Sequence, residues 1–288
     1  MLRAGELSAT FVPGVGMTGV SLRLGAQEFL ALPGGIDALR AGHTGGLPLL
    51  APWANRLGSR RYRAAGVTVD LDGVPLHTDG NGLPIHGLLV GSRSWRVVSH
   101  RARGAVARLA AATEVDAPAF PFPHRIEVVI TARDDRLVVD TTIVPTGRRR
   151  VPVAFGWHPY LRVPGTPRAR WRLRLPACTH LALDERGLPT GDATRARAED
   201  AAIGRRTFDD LYALGARRRL ALTAEGGAGI ELRAGATYPC AQVWVPPGLP
   251  FAALEPMTAP TDALGRGTAP LVAPGDAFTA RFELLPTT

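Results

Sequence analysis

The sequence contains no lysine, so all 34 of its basic residues are arginine. A phosphate-binding P-loop requires a lysine after its glycines, and this absence excludes that class of nucleotide site. No run approaches 18 apolar residues, which excludes a membrane-spanning helix of ordinary length. The first six residues, MLRAGE, lack the basic and then apolar pattern of a secretory signal. We therefore expect a cytoplasmic protein that has no membrane partner.

Metal-binding patterns are also scarce. The two cysteines, Cys178 and Cys240, have no ligand partner at short spacing and fall short of the four ligands of a structural zinc site. None of the seven histidines forms an H-x-H or H-x-x-x-H pair. The sequence thus predicts no metal site, and it predicts reduced cysteines of the kind found in a cytoplasm.

The positive charge has an obvious first interpretation. A net charge of +9 and a pI near 10.9 are typical of proteins with nucleic-acid or acidic partners. However, the arginines are spread along the chain, with triple runs only at 148–150 and 217–219. Neither run has the interleaved aromatic residues of a base-stacking surface, so we expect no nucleic-acid partner.

Period-2 alternation of polar and apolar residues is the dominant pattern and predicts β-strands. The β-branched runs at 124–131 and 136–143 flank a short polar turn, as in an antiparallel hairpin. Further strand patterns occur at 17–24, 26–32, 66–72, 94–101, 105–112, 170–175, 218–224, 228–233, 241–245, 250–255 and 276–284. This number of strands at short intervals predicts an all-β sandwich or barrel.

Helical periodicity is confined to 35–41 and 197–203, which disfavours a doubly wound nucleotide fold. The G-x-G at 14–16 opens no helix and is interpreted as a turn. Long loops are expected at 41–63, 73–93 and 176–210, and such loops are often functional. Because no linker interrupts the pattern, we expect a single domain, 1–288.

Two residues stand where strands give way to proline-containing segments. His158 follows an apolar run and precedes Pro159, which restricts its orientation as a general acid requires. Glu255 ends the apolar run 250–254, where partial burial would raise its pKa toward that of a general base. A buried histidine bonded to the backbone and a salt-bridged strand end are the alternative interpretations.

Several polar residues are candidates for ligand binding. Arg56, beside Asn55, offers a planar donor fork, although a guanidinium packed on Trp53 is the simpler interpretation. His86 precedes Gly87, which permits a close approach of the backbone to a ligand. Asp209 lies between aromatic residues and offers an acceptor, or else caps a turn.

Seven segments, taken in order, resemble the aldose 1-epimerase (galactose mutarotase-like) family. They are PWANRLGSRRY (52–62), LPIHGLL (83–89), the stretch from FPFPHRIEV to VVDTTI (120–143), GWHPYL (156–161), FDDLY (208–212), AQVW (241–244) and LEPMTAPTDAL (254–264). The resemblance implies an all-β β-supersandwich with few short helices, in which large antiparallel sheets form a concave sugar-binding face. It also implies an isomerase that works without a cofactor.

The resemblance implies roles for individual residues as well. Glu255 matches the family's catalytic base and His158 its general acid, so these are the expected catalytic residues. His86, Arg56 and Asp209 match residues that hold sugar oxygens. Asn55 is expected to bind substrate too, with Asp210 as a rival to Asp209. One tryptophan, Trp157, Trp53 or Trp244, is expected to stack on the sugar, and we select Trp157.

The expected function is interconversion of the α and β anomers of a hexose, with a monosaccharide as the partner of a monomer or homodimer. Glu255 would act as a carboxylate and His158 as an imidazolium, favoured by their mutual attraction. Two alternatives stay open. A hexose 6-phosphate would use the arginine-rich segment around Arg60, Arg61 and Arg63, and a non-catalytic sugar-binding protein would keep the concave sheet without turnover.

Overall fold

The structure is a computed structural model that describes residues 1–288, and it is built almost entirely of β-strands. In the first half of the chain they are β1 (Leu2–Ala4), β2 (Leu7–Val12), β3 (Thr18–Leu24), β4 (Gln27–Glu28), β5 (Leu49–Leu50), β6 (Arg61–Ala64), β7 (Val67–Asp70), β8 (Arg96–Arg103), β9 (Val106–Ala117), β10 (Phe120–Ala132) and β11 (Leu137–Pro145). In the second half they are β12 (Val151–Pro152), β13 (Gly156–Trp157), β14 (Tyr160–Leu161), β15 (Arg172–Leu175), β16 (Cys178–Leu183), β17 (Pro189–Ala196), β18 (Glu199–Ala202), β19 (Phe208–Leu214), β20 (Arg219–Thr223), β21 (Gly229–Ala234), β22 (Cys240–Val245), β23 (Ala252–Met257), β24 (Leu271–Val272) and β25 (Phe278–Thr287).

Helical structure is limited to one α-helix, α1 (Gly35–Arg40), and two 3-10 turns, Pro13–Val15 and Arg168–Arg170. With six residues in its only α-helix, the chain has no helix with the length and apolar character needed to span a bilayer. The helix predicted at 35–41 is therefore present, and the glycines at 14–16 belong to a turn, as predicted.

The larger sheet has nine strands in the order β18-β15-β20-β21-β25-β11-β10-β9-β8. Its longest strand, β10, alternates between buried and half-buried residues over all 13 positions. This is the period of an extended chain with one face in the core, which explains why the sequence signals it clearly. The hairpin predicted around 133–135 joins β10 to β11 in antiparallel register.

The second sheet has eight strands, seven of them in the order β17-β16-β19-β22-β23-β13-β5, with β14 also paired to β23. Its central strands, β22 and β23, are almost wholly buried because both faces of the sheet are covered there. On β22, Ala241 and Val243 belong to the main core, whereas Gln242 points to the opposite face. On β23, Leu254 belongs to that core and Glu255 to the opposite face.

The two sheets pack through a continuous hydrophobic core of 66 buried residues, which runs from Leu2 to Leu284. Trp157 on β13 packs on Phe282 of β25, with 5.8 Å between the ring centroids. Each fully buried large apolar side chain contributes roughly 1.5–3 kcal/mol to this core. The predicted all-β fold of large antiparallel sheets is confirmed.

Two predictions about the chain between 176 and 210 are wrong. The predicted helix at 197–203 is strand β18, whose four residues pair with β15. The predicted loop at 176–210 contains β16 and β17, and the latter is exposed along most of its length. A strand with two exposed faces has no alternating hydrophobic pattern, so only its pairing with a neighbour identifies it.

Candidate active site

A polar pocket of about 230 Å³ lies over β19, β22 and β23, on the face of the second sheet that turns away from the core. Residues from the long segments at 41–63 and 73–93 also line it. Six of the residues singled out in the sequence line this pocket: Asn55, Arg56, His86, His158, Asp209 and Glu255. The fold thus brings together residues that are up to 200 positions apart in the chain.

The floor of the pocket holds a buried acid–base pair. His158 Nε2 lies 3.3 Å from Glu255 Oε1, and the side chains are only 6% and 3% exposed. The second polar atom of each side chain, His158 Nδ1 and Glu255 Oε2, is buried and has no hydrogen-bond partner in the protein. Since buried polar groups normally have partners, both side chains have bonding capacity left for a ligand.

Burial shifts the pKa values of both members of this pair. It raises the pKa of Glu255 well above its ordinary value, and the negative charge of Asp209 raises it further, while Arg56 opposes the shift. Burial also lowers the pKa of His158 to about 3. These pKa directions run against the imidazolium that the sequence predicts, because burial favours the uncharged form of each group.

Aromatic rings hold His158 in a fixed orientation. Tyr160 stacks on its imidazole with a centroid distance of 4.6 Å, and Trp244 approaches it edge-on at 5.5 Å. The hydroxyl of Tyr160 forms a 2.6 Å hydrogen bond with Thr44. The main chain is fixed as well, because the His158 N–H donates to the carbonyl of Pro48. A general acid needs this kind of restricted ring.

His86 reaches the pocket through a strained loop. Its φ of 64° lies in the left-handed region, and its N–H donates to the carbonyl of Asn55. The next residue, Gly87, approaches the backbone of Ala51 so closely that an added Cβ would lie 2.2 Å from the carbonyl oxygen. The close approach expected at Gly87 is therefore made to the protein's own backbone, and it positions His86.

Burial lowers the pKa of His86 well below its ordinary value, and nearby His158 and Arg56 lower it further. His86 is accordingly a neutral imidazole, and its Nδ1 atom has no partner in the protein. A neutral imidazole can donate from one ring nitrogen and accept at the other. It therefore suits a hydroxyl group of a ligand.

Arg56 is held by three side chains. Its Nε donates to Asp79 Oδ2 at 2.6 Å, its Nη1 donates to Asn55 Oδ1 at 3.1 Å, and its Nη2 lies 3.8 Å from Asp209 Oδ2. Asp79 also accepts hydrogen bonds from the N–H groups of 81 and 83. Burial alone would raise the pKa of Asp79, but these bonds hold it below its ordinary value. Asn55 and Asp79 thus orient the guanidinium toward the pocket.

Asp209, rather than Asp210, faces the pocket. Asp209 Oδ1 accepts a 2.6 Å hydrogen bond from Gln242 Nε2, while Asp210 Oδ1 lies 3.0 Å from His180 Nε2 outside the pocket. Gln242 itself pairs with Glu255 across β22 and β23. Because side chains alternate along a strand, neighbouring aspartates on β19 point in different directions.

The structure places Trp157 away from the pocket. Its side chain is completely buried in the core, and its Nε1 donates to Thr141 Oγ1 at 3.0 Å. Trp53 is also buried, so Trp244 is the tryptophan that lines the pocket. The expectation for Trp157 is therefore corrected, because alternation along β13 turns its ring toward the other sheet.

The arginines considered for a phosphate lie outside the pocket. Arg60 donates to the carbonyls of Leu71 and Val74, and Arg61 forms an exposed ion pair with Asp70. Arg63 is exposed on β6, the strand that also carries Arg61. Contacts of this kind are those of surface arginines, and they give no support to a phosphate site at this segment.

Asp262 joins the segments 52–62 and 254–264 through two hydrogen bonds. Asp262 Oδ1 accepts a 2.8 Å hydrogen bond from the Gly58 N–H, and its own N–H donates to the Arg56 carbonyl. These two bonds tie the loop that carries Arg56 to the segment that follows Glu255. The segment 254–264 thus also anchors the loop that carries Arg56.

Sequence reasoning missed three polar contributors to the site: Thr44, Gln242 and Asp79. Gln242 lies in the AQVW segment, and its i, i+2 relation to Trp244 places both on one face of β22. The sequence shows this spacing, but it does not show which face of β22 turns toward Glu255. Thr44 and Asp79 lie in loops, where no periodic pattern indicates their position.

The polar groups of the pocket suit a small ligand that carries several hydroxyl groups. The pocket combines one buried acid–base pair with the donor Arg56, the acceptor Asp209 and the neutral His86. Its lining contains both donors and acceptors, and Trp244 and Tyr160 supply aromatic surface. Such a site can remove one proton and deliver another to neighbouring atoms of the same molecule.

Comparisons with known proteins agree with this description. A family model described as aldose 1-epimerase matches residues 36–285. A galactose mutarotase-like protein from Clostridium acetobutylicum superposes with a TM-score of 0.88 at 19% identity, covering 99% of this chain and 94% of that one. An aldose epimerase homologue from C. elegans gives 0.78 at 18% identity, covering 99% and 96%.

A galactose 1-epimerase from Lactobacillus acidophilus gives a TM-score of 0.76 at 13% identity, covering 98% of this chain and 92% of that one. At these identities the solved structures establish the fold alone. A comparison with curated proteins found no match.

Proposed function

This chain belongs to the aldose 1-epimerase family, and we propose on that basis that it interconverts the α and β anomers of a hexose. The observation that carries the proposal is the buried pair of His158 and Glu255, 3.3 Å apart at the floor of a polar pocket. Anomer interconversion requires two proton transfers at adjacent oxygens of one hemiacetal, and the pair offers one group for each.

Ring opening uses both groups at once. Glu255 takes the proton of the anomeric hydroxyl while His158 gives a proton to the ring oxygen, and the bond between C1 and the ring oxygen breaks. No isolated alkoxide or oxocarbenium ion forms, since each developing charge is quenched as it appears. Each proton transfer contributes roughly 10²–10⁴-fold to the rate.

The protonation preferences of the pair suit this step. Before ring opening the active form is a carboxylate with an imidazolium, which has the same net charge as the carboxylic acid with a neutral imidazole. Redistributing the proton within the pair therefore creates no net buried charge. After ring opening Glu255 is protonated and His158 is neutral, and burial favours this arrangement.

Closure reverses the two transfers. Rotation about the C1–C2 bond presents the other face of the aldehyde to the same groups, and the opposite anomer forms. Arg56, His86 and Asp209 hold the sugar hydroxyls during this rotation, and Trp244 covers an apolar face of the sugar. The proposed chemistry is complete with protein side chains and needs no cofactor. Two buried, unpaired cysteines fit the reducing cytoplasm in which we place it.

The test is polarimetry of freshly dissolved α-D-glucose. The wild-type protein should accelerate the approach to equilibrium rotation. Glu255→Gln should abolish the acceleration and His158→Asn should lower kcat by at least about a hundredfold, with circular dichroism showing that both variants fold. Near-normal rates in both variants would refute the assignment. Sugar binding by the wild type without any acceleration would instead identify a binding protein.

A further inference from the structure

A second cavity, which we call the arginine cleft, lies on the nine-stranded sheet. Its volume is about 830 Å³, and it is formed by β15, β18, β20 and β21 together with the segment 216–218 that precedes β20. It shares no residue with the pocket that holds His158 and Glu255, and the mechanism proposed above gives it no role. Five of its lining residues are arginines: Arg174, Arg217, Arg218, Arg219 and Arg233.

Strand alternation turns arginines of β20 and β21 to the outer face of this sheet. Leu220 and Leu232 belong to the hydrophobic core, so their neighbours Arg219 and Arg233 point away from it. In the register of the two strands Arg219 lies directly opposite Arg233. Like charges in this position destabilise a sheet. A local conflict of this kind is typical of a functional site.

The carboxylates of the arginine cleft do not neutralise all of its arginines. Each of them already has an arginine partner, and the pairs are Asp200 with Arg172 and Arg174, Glu231 with Arg233, and Glu199 with Arg206. Arg217, Arg218 and Arg219 are consecutive in the chain, line the cleft and have no acidic partner. Three neighbouring positive charges repel one another, and an anion bound among them would remove this cost.

Arg218 has an unused hydrogen-bond donor. Its Nε atom is buried and has no partner in the protein, although buried N–H groups normally have one. Its main chain is fixed beside β21, because its carbonyl accepts from the N–H of Ala234. An oxygen atom of a ligand in the arginine cleft would satisfy the free donor. Guanidinium groups suit phosphate oxygens in particular, to which they donate two parallel hydrogen bonds.

The rest of the lining indicates which anion fits. A chain of two or three phosphate groups carries several negative charges close together, and it matches three adjacent guanidinium groups better than a single phosphate does. No aromatic residue lines the cleft, so it has no surface on which bases would stack. Its volume lies within the roughly 300–1,000 Å³ that is usual for small-ligand sites. These features favour a small ligand that is recognised by its phosphates over a nucleic acid.

We propose that the arginine cleft binds the oligophosphate chain of a small ligand, either free tripolyphosphate or the triphosphate of a nucleotide. Arg217, Arg218 and Arg219 hold the phosphates, and Arg174 and Arg233 line the cleft beside them. Binding makes and breaks no covalent bond. The site is independent of the chemistry proposed for the pocket.

The first test compares anions by isothermal titration calorimetry of the wild-type protein in the absence of magnesium. Tripolyphosphate and ATP should bind with similar Kd values, because the cleft recognises the phosphates and not the base. AMP, which has a single phosphate, should bind at least about tenfold more weakly.

Three results of this comparison would overturn the inference. The first is no binding of tripolyphosphate at millimolar concentration. The second is binding of ATP without binding of tripolyphosphate, which would mean that the base is recognised. The third is tighter binding of a single-stranded oligonucleotide than of tripolyphosphate, which would identify a nucleic-acid surface instead.

A second test locates the site. The triple variant Arg217→Gln, Arg218→Gln and Arg219→Gln should weaken tripolyphosphate binding at least about a hundredfold, because each guanidinium group supplies charge-assisted hydrogen bonds. The matched control changes the other arginine run, 148–150, to glutamine. It removes the same charge from three exposed positions outside the cleft, and it should keep the wild-type Kd. Equal losses in the two variants would show attraction by net charge alone and contradict the site.

A single substitution gives the answer even if the triple variant does not fold. In Arg219→Glu the new carboxylate lies opposite Arg233, where opposite charges stabilise a sheet, so circular dichroism should show an intact fold. Tripolyphosphate binding should fall at least about tenfold, since an attraction becomes a repulsion. An unchanged Kd in this folded variant would overturn the inference.

Discussion

His158 and Glu255 illustrate how burial rather than charge attraction controls a catalytic pair. At the surface a carboxylate and a histidine at this distance would form an ordinary ion pair. Here both side chains are almost fully buried, and the pKa of each moves toward its neutral form. Because the two groups are in contact, their apparent pKa values belong to the pair as a unit.

This gives a prediction for pH dependence. The pair gains a second proton only when His158 is protonated, and burial lowers that pKa to about 3. We therefore expect kcat/KM, which reports the free enzyme, to stay level as the pH falls from about 7 to about 5, across the ordinary histidine pKa of about 6.5. The check is a pH profile of kcat/KM for glucose by polarimetry. An acid limb with an apparent pKa near 6.5 would show that His158 titrates as an exposed imidazole.

The identity of the polar residues could be predicted from the sequence, but their neighbours could not. His158 and Glu255 stand out because each adjoins a proline-containing segment at the end of an apolar run. The lowered pKa of His158 could not be predicted from the sequence, since its complete burial is a property of the packed pocket. Asp79, which orients Arg56, was missed for a similar reason: its partner is 23 positions away and no spacing connects them.

At the level of elements, strands with one buried face were easy to predict and the others were not. The alternation in β10 and β11 predicts a hairpin that the structure contains. The exposed β17 and the short β18 carry no such alternation, so the sequence pattern predicts a loop and a helix where these strands lie. Strand pairing also decides the direction of Trp157, which a local pattern leaves open.

The loop that carries His86 depends on Gly87, and this dependence can be tested. Gly87→Ala would place a Cβ 2.2 Å from the carbonyl oxygen of Ala51, which neither backbone can easily avoid. We expect a loss of at least about 3 kcal/mol in the free energy of unfolding, measured by urea denaturation. Glucose turnover should fall as well, because His86 is displaced.

Gly82→Ala is the matched control for that variant. Gly82 also has a positive φ, of 74°, but an added Cβ would meet nothing within 4 Å. Its cost should be limited to the left-handed backbone, about 1–2 kcal/mol. Equal losses in the two variants would show that the contact with Ala51 does not constrain the loop.

At the scale of the whole molecule, one core joins both sheets and fixes the face on which the site is built. The central strands β22 and β23 direct alternate residues into that core and into the pocket, so packing and catalysis share the same elements. The sequence predicted the fold class because alternation is a local signal.

The most direct measurement of the central claim is the rate of anomer exchange in Glu255→Gln, His158→Asn and the variant carrying both substitutions. If the two residues act as one proton-transferring unit, each single change removes nearly all of the acceleration and the second change removes little more. Two-dimensional NMR exchange between the α and β anomeric protons of glucose at equilibrium gives these rates. Losses that multiply in the double variant, or a single variant close to the wild-type rate, would contradict the account.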